Sequence, residues 1–251
     1  MRLILMATEP LDFSRRTEPA DLPEWMDEPC SYADFHACLA DLAQVNRLTL
    51  ACRPTLHWLD QLVRRQRPSQ PLRIVDVGSG GGDRLRRVER WAARRGVPVQ
   101  LTGIDLNPYA AQAARAFTPA GSAIEWVTGD AFSCNAPVDI VLSSLFTHHL
   151  PTPEVVRFLA WMEGVARRGW FVNDLCREPV PYHLFGALAA AARWHRFVRH
   201  DGPVSFRRAF REPDWQRMIA SAGIAASDTQ LRRWTPARLC VGRIRPTATL
   251  V

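Results

Sequence analysis

Ile74-Val75-Asp76-Val77-Gly78-Ser79-Gly80-Gly81-Gly82-Asp83 is the stretch on which the reading of this chain turns. A β-branched run gives way to glycines and then opens a helical pattern, which spells strand, tight turn, helix. Glycines at 78, 80 and 82 let the backbone turn sharply and approach a ligand where a Cβ would collide. The helix start offers unpaired N–H groups to that ligand. A dinucleotide-binding fingerprint counted from Gly78 needs its third glycine at position 83, which is Asp here. The pattern is D-x-G-x-G-x-G instead.

Downstream, the chain keeps the same rhythm. Short apolar runs at 73–77, 98–104, 123–127, 138–143 and 169–173 read as strands. Helical patterns at 83–95, 108–117 and 153–167 lie among them. Alternation of this kind predicts a mostly parallel sheet with helices on both faces and ligands at the carboxyl edge of its strands. Upstream, apolar positions at three- and four-residue steps from Phe35 to Leu48 predict a helix. Pro54 opens another, and Arg67-Pro68-Ser69-Gln70-Pro71 reads as a linker. Beyond 176 the rhythm breaks: an Ala-rich helix over 182–198, an interruption at Asp201-Gly202-Pro203, a helix at 212–222 and a closing pair of strands near 231–234 and 239–244.

Four landmarks in order, the glycine turn, Asp105 in Gly103-Ile104-Asp105-Leu106, the segment Gly129-Asp130-Ala131-Phe132, and Asp139 to Ser144, resemble class I S-adenosylmethionine-dependent methyltransferases. The resemblance runs through residue 175. It implies a Rossmann-like α/β fold and S-adenosylmethionine as cofactor. Asp76, Gly78, Ser79 and Gly80 would line the methionine portion. Asp105 and Leu106 would serve the ribose, Asp130 and Ala131 the adenine, and Ser143 would lie beside the sulfonium. Arg47, in the N-terminal helix, is a candidate partner for the methionine carboxylate. The resemblance also implies an organisation: 1–70 as an N-terminal helical lid, 71–251 as the methyltransferase domain, and 177–211 as a helical cap inserted after strand five.

Methyl transfer needs an acceptor atom placed in line with the methyl carbon, so positioning supplies much of the acceleration. A phenolic acceptor also benefits from a base. Leu145-Phe146-Thr147-His148-His149-Leu150 and Asn173-Asp174-Leu175-Cys176-Arg177 both fall at the ligand edge. His148 or His149 can accept a phenolic proton, and Asp174 can orient the imidazole. Phe146, Arg177, Tyr182 and His183 are the expected acceptor contacts, because the insertion is apolar and aromatic. No carboxylate cluster stands at the strand ends beyond Asp174, so no metal is expected.

The remaining composition excludes other classes. All 32 basic residues are Arg, which removes the Tyr-x-x-x-Lys pair of short-chain dehydrogenases. The Arg pairs are scattered, and the net charge of +7 forms no block of the kind that tracks nucleic acid. Six cysteines show no C-x-x-C spacing and read as free thiols. The opening Met1–Ala7 is too short for a secretory signal, so the expected location is the cytoplasm.

The segments SSLFTHHL, GWFVNDL and DGPVSFRRAF resemble bacterial tailoring methyltransferases associated with type III polyketide synthases. The expected partner is a small-molecule acceptor, and the expected reaction O-methylation of a phenolic or polyketide-like hydroxyl, in secondary metabolism. C-methylation of a quinone-like or polyketide ring competes with it. A non-catalytic cofactor-binding scaffold and an RNA methyltransferase are the readings from other classes.

Overall fold

The structure, a computed structural model, describes residues 11–133 and 136–246. Cys134 and the opening Met1–Ala7 lie outside the described residues; the five described cysteines are free.

Seven strands form one sheet: β1 (Leu72–Val77), β2 (Val99–Asp105), β3 (Glu125–Thr128), β4 (Val138–Ser144), β5 (Ala166–Leu175), β6 (Gln230–Trp234) and β7 (Arg238–Ile244). Their order is β3-β2-β1-β4-β5-β7-β6. The first five are parallel, and β7 pairs antiparallel with both β5 and β6. This is the α/β, mostly parallel sheet that the alternating pattern predicts. The strand order reverses between β1 and β4, and that switch opens a crevice at the carboxyl ends.

Period-two alternation decides which helices cover which face. Val75, Val77, Val141, Trp170, Val172, Leu239 and Val241 point to one face. There they pack on Val155, Phe158, Leu159 and Met162 of α5 (Thr152–Val165) and on Trp215, Met218 and Ile219 of α8 (Glu212–Ser221). Ile74, Ile140, Leu142, Phe171 and Cys240 point to the other face. They meet Trp58, Leu59 and Leu62 of α2 (Arg53–Arg65) and Leu85, Val88 and Trp91 of α3 (Asp83–Arg95). The expected lid over 1–70 therefore divides. Helix α2 belongs to the sheet core, and Asn173 of β5 fastens its start through the Ala51 carbonyl (2.8 Å) and the Thr55 hydroxyl (3.1 Å).

Helix α1 (Tyr32–Leu48) lies elsewhere. One flank, Phe35 and Leu39, packs on Ala110 and Ala113 of α4 (Ala110–Phe117). The other, Cys38 and Val45, packs on Ala189, Trp194, Phe197 and Val198. Those residues come from the region after β5, where the sequence pattern needs correcting. The Ala-rich stretch is not one helix. It breaks at Arg193 (φ +53°) and yields α6 (Pro179–Ala191) and α7 (Arg196–Arg208). Asp201-Gly202-Pro203, expected as an interruption, sits inside α7. Gly202 serves packing there: an added Cβ would lie 1.8 Å from the Phe185 ring. Pro203 keeps a φ that a helix accepts, but it gives up a backbone donor and crowds the carbonyl one turn back.

Candidate active site

The crevice at the switch point is one end of a cavity of about 1040 Å³. Its floor is the carboxyl edge of β1, β2 and β4, its roof is α1, and its far wall comes from α6 and α7. That volume exceeds what one drug-sized ligand needs, about 300–1,000 Å³.

The floor is built by the glycine turn. Gly78 has φ +69°, and a Cβ on it would strike the Phe146 ring at 2.5 Å. Gly82, at φ +73°, is closed against the Trp126 indole in the same way, at 2.2 Å. Only glycine allows both the left-handed backbone and these approaches. The turn is pinned by N–H bonds from Gly78 and Ser79 to the Ile104 carbonyl (2.9 and 3.2 Å) and from Gly80 to a carboxylate oxygen of Asp105 (2.8 Å). Asn107 N–H donates to the other Asp105 oxygen at 2.9 Å. Each oxygen keeps a lone pair for a further donor. Burial pushes the Asp105 pKa up, against these two N–H groups. Asp76, Gly78, Ser79, Gly80, Asp105, Leu106, Asp130 and Ala131 all line the cavity.

Two of the expected cofactor contacts fall outside it. Ser143 spends its hydroxyl on the Val77 carbonyl (3.2 Å) beneath the floor, and its neighbour Ser144 lines the wall instead. Arg47 is exposed and does not reach the cavity, because the helix turns its neighbour Asn46 inward. Two buried guanidiniums that sequence reasoning passed over stand at this end: Arg84 on α3 and Arg238 at the start of β7. Both line the cavity with an unpartnered Nη1, and Asn46 Oδ1 and Asp76 Oδ1 are likewise buried without partners. Burial raises the Asp76 pKa to about 7, despite Arg84 nearby. Burial also lowers that of Arg238 to about 10. These orphaned donors and acceptors on the cavity wall are free to bond a ligand.

The opposite end is the loop after β4. Leu145 adopts φ +53°, which swings Phe146 over Gly78 and delivers a 3-10 turn, Thr147–His149. His148 Nδ1 lies 2.7 Å from Asp174 Oδ1. The Asp174 carboxylate also accepts from the Thr147 hydroxyl and from the N–H groups of His148 (3.1 Å) and Leu175 (2.7 Å). Burial opposes its charge, yet His148 and these donors hold it well below the usual carboxylate range. His149 Nδ1 lies 2.9 Å from Asp27. Burial would lower the His149 pKa, but Glu24 and Asp27 raise it to about 9.

Glu24, Asp27 and Arg208 complete this wall, and nothing in the local sequence marked them. Arg208, fully buried, bridges Glu24 (3.4 Å), Asp27 (3.1 Å) and the His148 carbonyl (3.1 Å). Residue by residue, the remaining expectations divide. Phe146, His148 and His149 line the cavity; Asp174 stands behind His148. Arg177 does not reach it: its guanidinium is consumed by the carbonyls of Phe13 and Ala209 and by Asp214. Tyr182 packs edge-on against Phe13, and His183 against Tyr182. The face of α6 that meets the cavity is Pro181, Leu184, Phe185 and Leu188, one helical stripe over. Chemical type alone selected Tyr182 and His183; helix phase, fixed by packing, selects their neighbours.

Residues 74–169 match the model of a methyltransferase domain. No curated protein matches. Among solved structures, magnesium protoporphyrin IX methyltransferase from Synechocystis PCC 6803, with bound S-adenosylhomocysteine, is 15% identical at a TM-score of 0.52, over 78% of this chain and 82% of that one. The citrinin polyketide synthase CMeT domain is 17% identical at 0.59, over 77% and 52%. The plantazolicin methyltransferase BpumL, in complex with S-adenosylhomocysteine, is 12% identical at 0.58, over 84% and 95%. The chain thus has the fold of these enzymes and carries a methyltransferase domain.

Proposed function

We propose that this chain transfers a methyl group from S-adenosylmethionine to the hydroxyl of a small hydrophobic aromatic acceptor of phenolic or polyketide-like type. The observation that carries the reading is one continuous cavity. It joins the glycine cradle, with its orphaned polar atoms, to a carboxylate-tethered histidine pair.

The residues present fit the cofactor. Arg84 and Arg238 offer free guanidinium nitrogens to a carboxylate, and Asp76 and Asn46 offer free oxygens to an ammonium. Asp105 has lone pairs left for a ribose diol. Leu106, Asp130 and Ala131 line the cavity where an adenine would lie. When bound, S-adenosylmethionine supplies a methyl on a positive sulfonium, which is a good leaving group. Everything else falls to the protein. The apolar stripe of α6, with Phe146 and Phe206, holds a flat acceptor and excludes water. His148 presents Nε2 to the acceptor hydroxyl and takes its proton, while Asp174 fixes the ring and stabilises the imidazolium.

Helices α6 and α7, residues 179–208, are the acceptor cap in this reading, and α1 with the preceding segment is the lid. The test is isothermal titration with S-adenosylhomocysteine, followed by an acceptor screen with labelled cofactor. Micromolar binding that Asp105→Ala weakens at least tenfold, about 1.4 kcal/mol, is expected. Absence of binding by folded wild type sinks the reading. Mass-spectrometric and NMR assignment of the product decides between an oxygen and a ring carbon as the methylated atom.

A further inference from the structure

We infer that Glu24, His148 and His149 form a binding site for one divalent transition-metal ion, open to the acceptor end of the cavity. The ligand atoms already converge. His148 Nε2 is 3.7 Å from one Glu24 oxygen and His149 Nε2 is 3.8 Å from the other. One donor atom from each residue lies within 4.8 Å of the rest. Donors at about 2.0–2.2 Å from a common ion stand somewhat closer than this, so side-chain shifts of a few tenths of an ångström to about an ångström complete the set.

The second observation is independent of the first. Each ligand is oriented from behind by a dedicated partner. His148 turns its Nδ1 to Asp174 at 2.7 Å and His149 turns its Nδ1 to Asp27 at 2.9 Å. Both rings therefore face Glu24 through Nε2. The Ser205 hydroxyl donates to Glu24 at 2.9 Å, and Arg208 holds the same oxygen at 3.4 Å. A carboxylate behind each imidazole is the arrangement that fixes the tautomer and raises ligand basicity in metal sites. Glu24, Asp27 and Asp174 set three carboxylates around the two imidazoles, and Arg208 offsets one of them.

Two nitrogens and one carboxylate suit Zn²⁺, Co²⁺, Fe²⁺ or Mn²⁺ far better than Mg²⁺ or Ca²⁺. All three ligands line the cavity, so the ion keeps a position open towards it. The inference rests on the methyl-transfer reading only for its use, and it replaces one step of that reading. An ion held by Glu24, His148 and His149 would take the acceptor as its phenolate, the hydroxyl proton being given up to solvent on entry, so that His148 would no longer serve as the base. The sequence expected no metal because it looked for carboxylates at strand ends. Glu24 instead arrives from the segment before α1.

The test uses the full chain, stripped with a chelator and titrated with Co²⁺ and Zn²⁺. One equivalent of Co²⁺ is expected, with visible d–d absorption that Zn²⁺ displaces. Glu24→Gln and His149→Ala should each weaken binding at least tenfold, and Asp27→Asn about tenfold or more. Thermal unfolding and S-adenosylhomocysteine titration of every variant verify the fold; if Glu24→Gln unfolds, His149→Ala, a quarter exposed, carries the test. No stoichiometric binding by folded wild type overturns the site, as does binding that survives both substitutions. Metal binding without cofactor binding sinks the transferase reading and leaves the site standing. Cofactor binding without metal does the reverse.

Discussion

His148 Nδ1 and Asp174 Oδ1 lie 2.7 Å apart, on the loop after one parallel strand and at the end of the next. The register of β4 on β5 makes this contact: Ser144 pairs with Asn173, so the two chain ends emerge side by side. Asp174 also receives the backbone N–H of His148, which fixes ring and loop together.

Asp174→Asn keeps the shape of that contact and removes its charge. kcat at saturating acceptor should fall by roughly 10²-fold or more, in the range that a positioned acid–base group contributes. Affinity for S-adenosylhomocysteine should stay within twofold, since Asp174 does not line the cavity. Steady-state kinetics beside calorimetry read the two. An unchanged kcat would remove His148 and Asp174 from the mechanism.

Arg84 and Arg238 are proposed to hold a carboxylate. Replacing either with Met should therefore cost tenfold or more in affinity for S-adenosylhomocysteine. Affinity for methylthioadenosine, which lacks the amino-acid portion, should barely move. Arg47→Ala should leave both ligands within twofold, because Arg47 is exposed and outside the cavity. Loss of binding in the Arg47 variant would show that α1 rotates on closure.

Asp76 gives a pH dependence whose sign is set by burial. Its folded pKa, about 7, lies above the ordinary 3.8. Between those values the folded state binds more protons than the unfolded state, so this residue's contribution to stability is present below about pH 4 and fades as pH rises through 7. Thermal melts of ligand-free wild type, compared with Asp76→Asn, should show the gap widening in favour of the variant from pH 4 to 7 and then levelling. Parallel profiles would mean that the carboxylate is already compensated.

Gly202→Ala probes the far wall. The helix accepts Ala, but its Cβ would overlap the Phe185 ring, 1.8 Å away. Overpacking of this kind costs about 1–3 kcal/mol. A lowered Tm and a weakened acceptor KM are expected, with cofactor affinity retained. Gly96→Ala, in open space at φ +63°, is the control for a backbone cost without a collision. If Gly202→Ala proves as stable as wild type, the two cap helices are not packed as described.

Legibility in the sequence followed the range of the interaction. β1 to β5 lie within a few residues of their predicted positions, and α3 matches at both ends, because hydrophobic period and glycine placement are local signals. The floor of the cavity was legible for a similar reason: the cradle from Asp76 to Gly80 and the acids Asp105 and Asp130 sit at fixed positions next to strand ends. Where placement depends on helix phase, the sequence pointed to Arg47 and Tyr182, and the cavity is lined by Asn46 and Phe185 instead. The Asp201-Gly202-Pro203 triplet misled because glycine served interhelical packing and proline tolerated the helix.

By itself, then, the sequence determined the alternating α/β order, the glycine turn and the acidic residues that follow it. Each is written in adjacent residues and in the geometry of a single strand or turn. Only the tertiary structure decided that α2 joins the sheet core and that Arg84 and Arg238 face the cavity. It alone brought Glu24, Asp27 and Arg208 to the two histidines. Those contacts join residues 60 to 184 positions apart, and no local pattern encodes them, because a buried charge acquires its partner from whichever element folding places beside it.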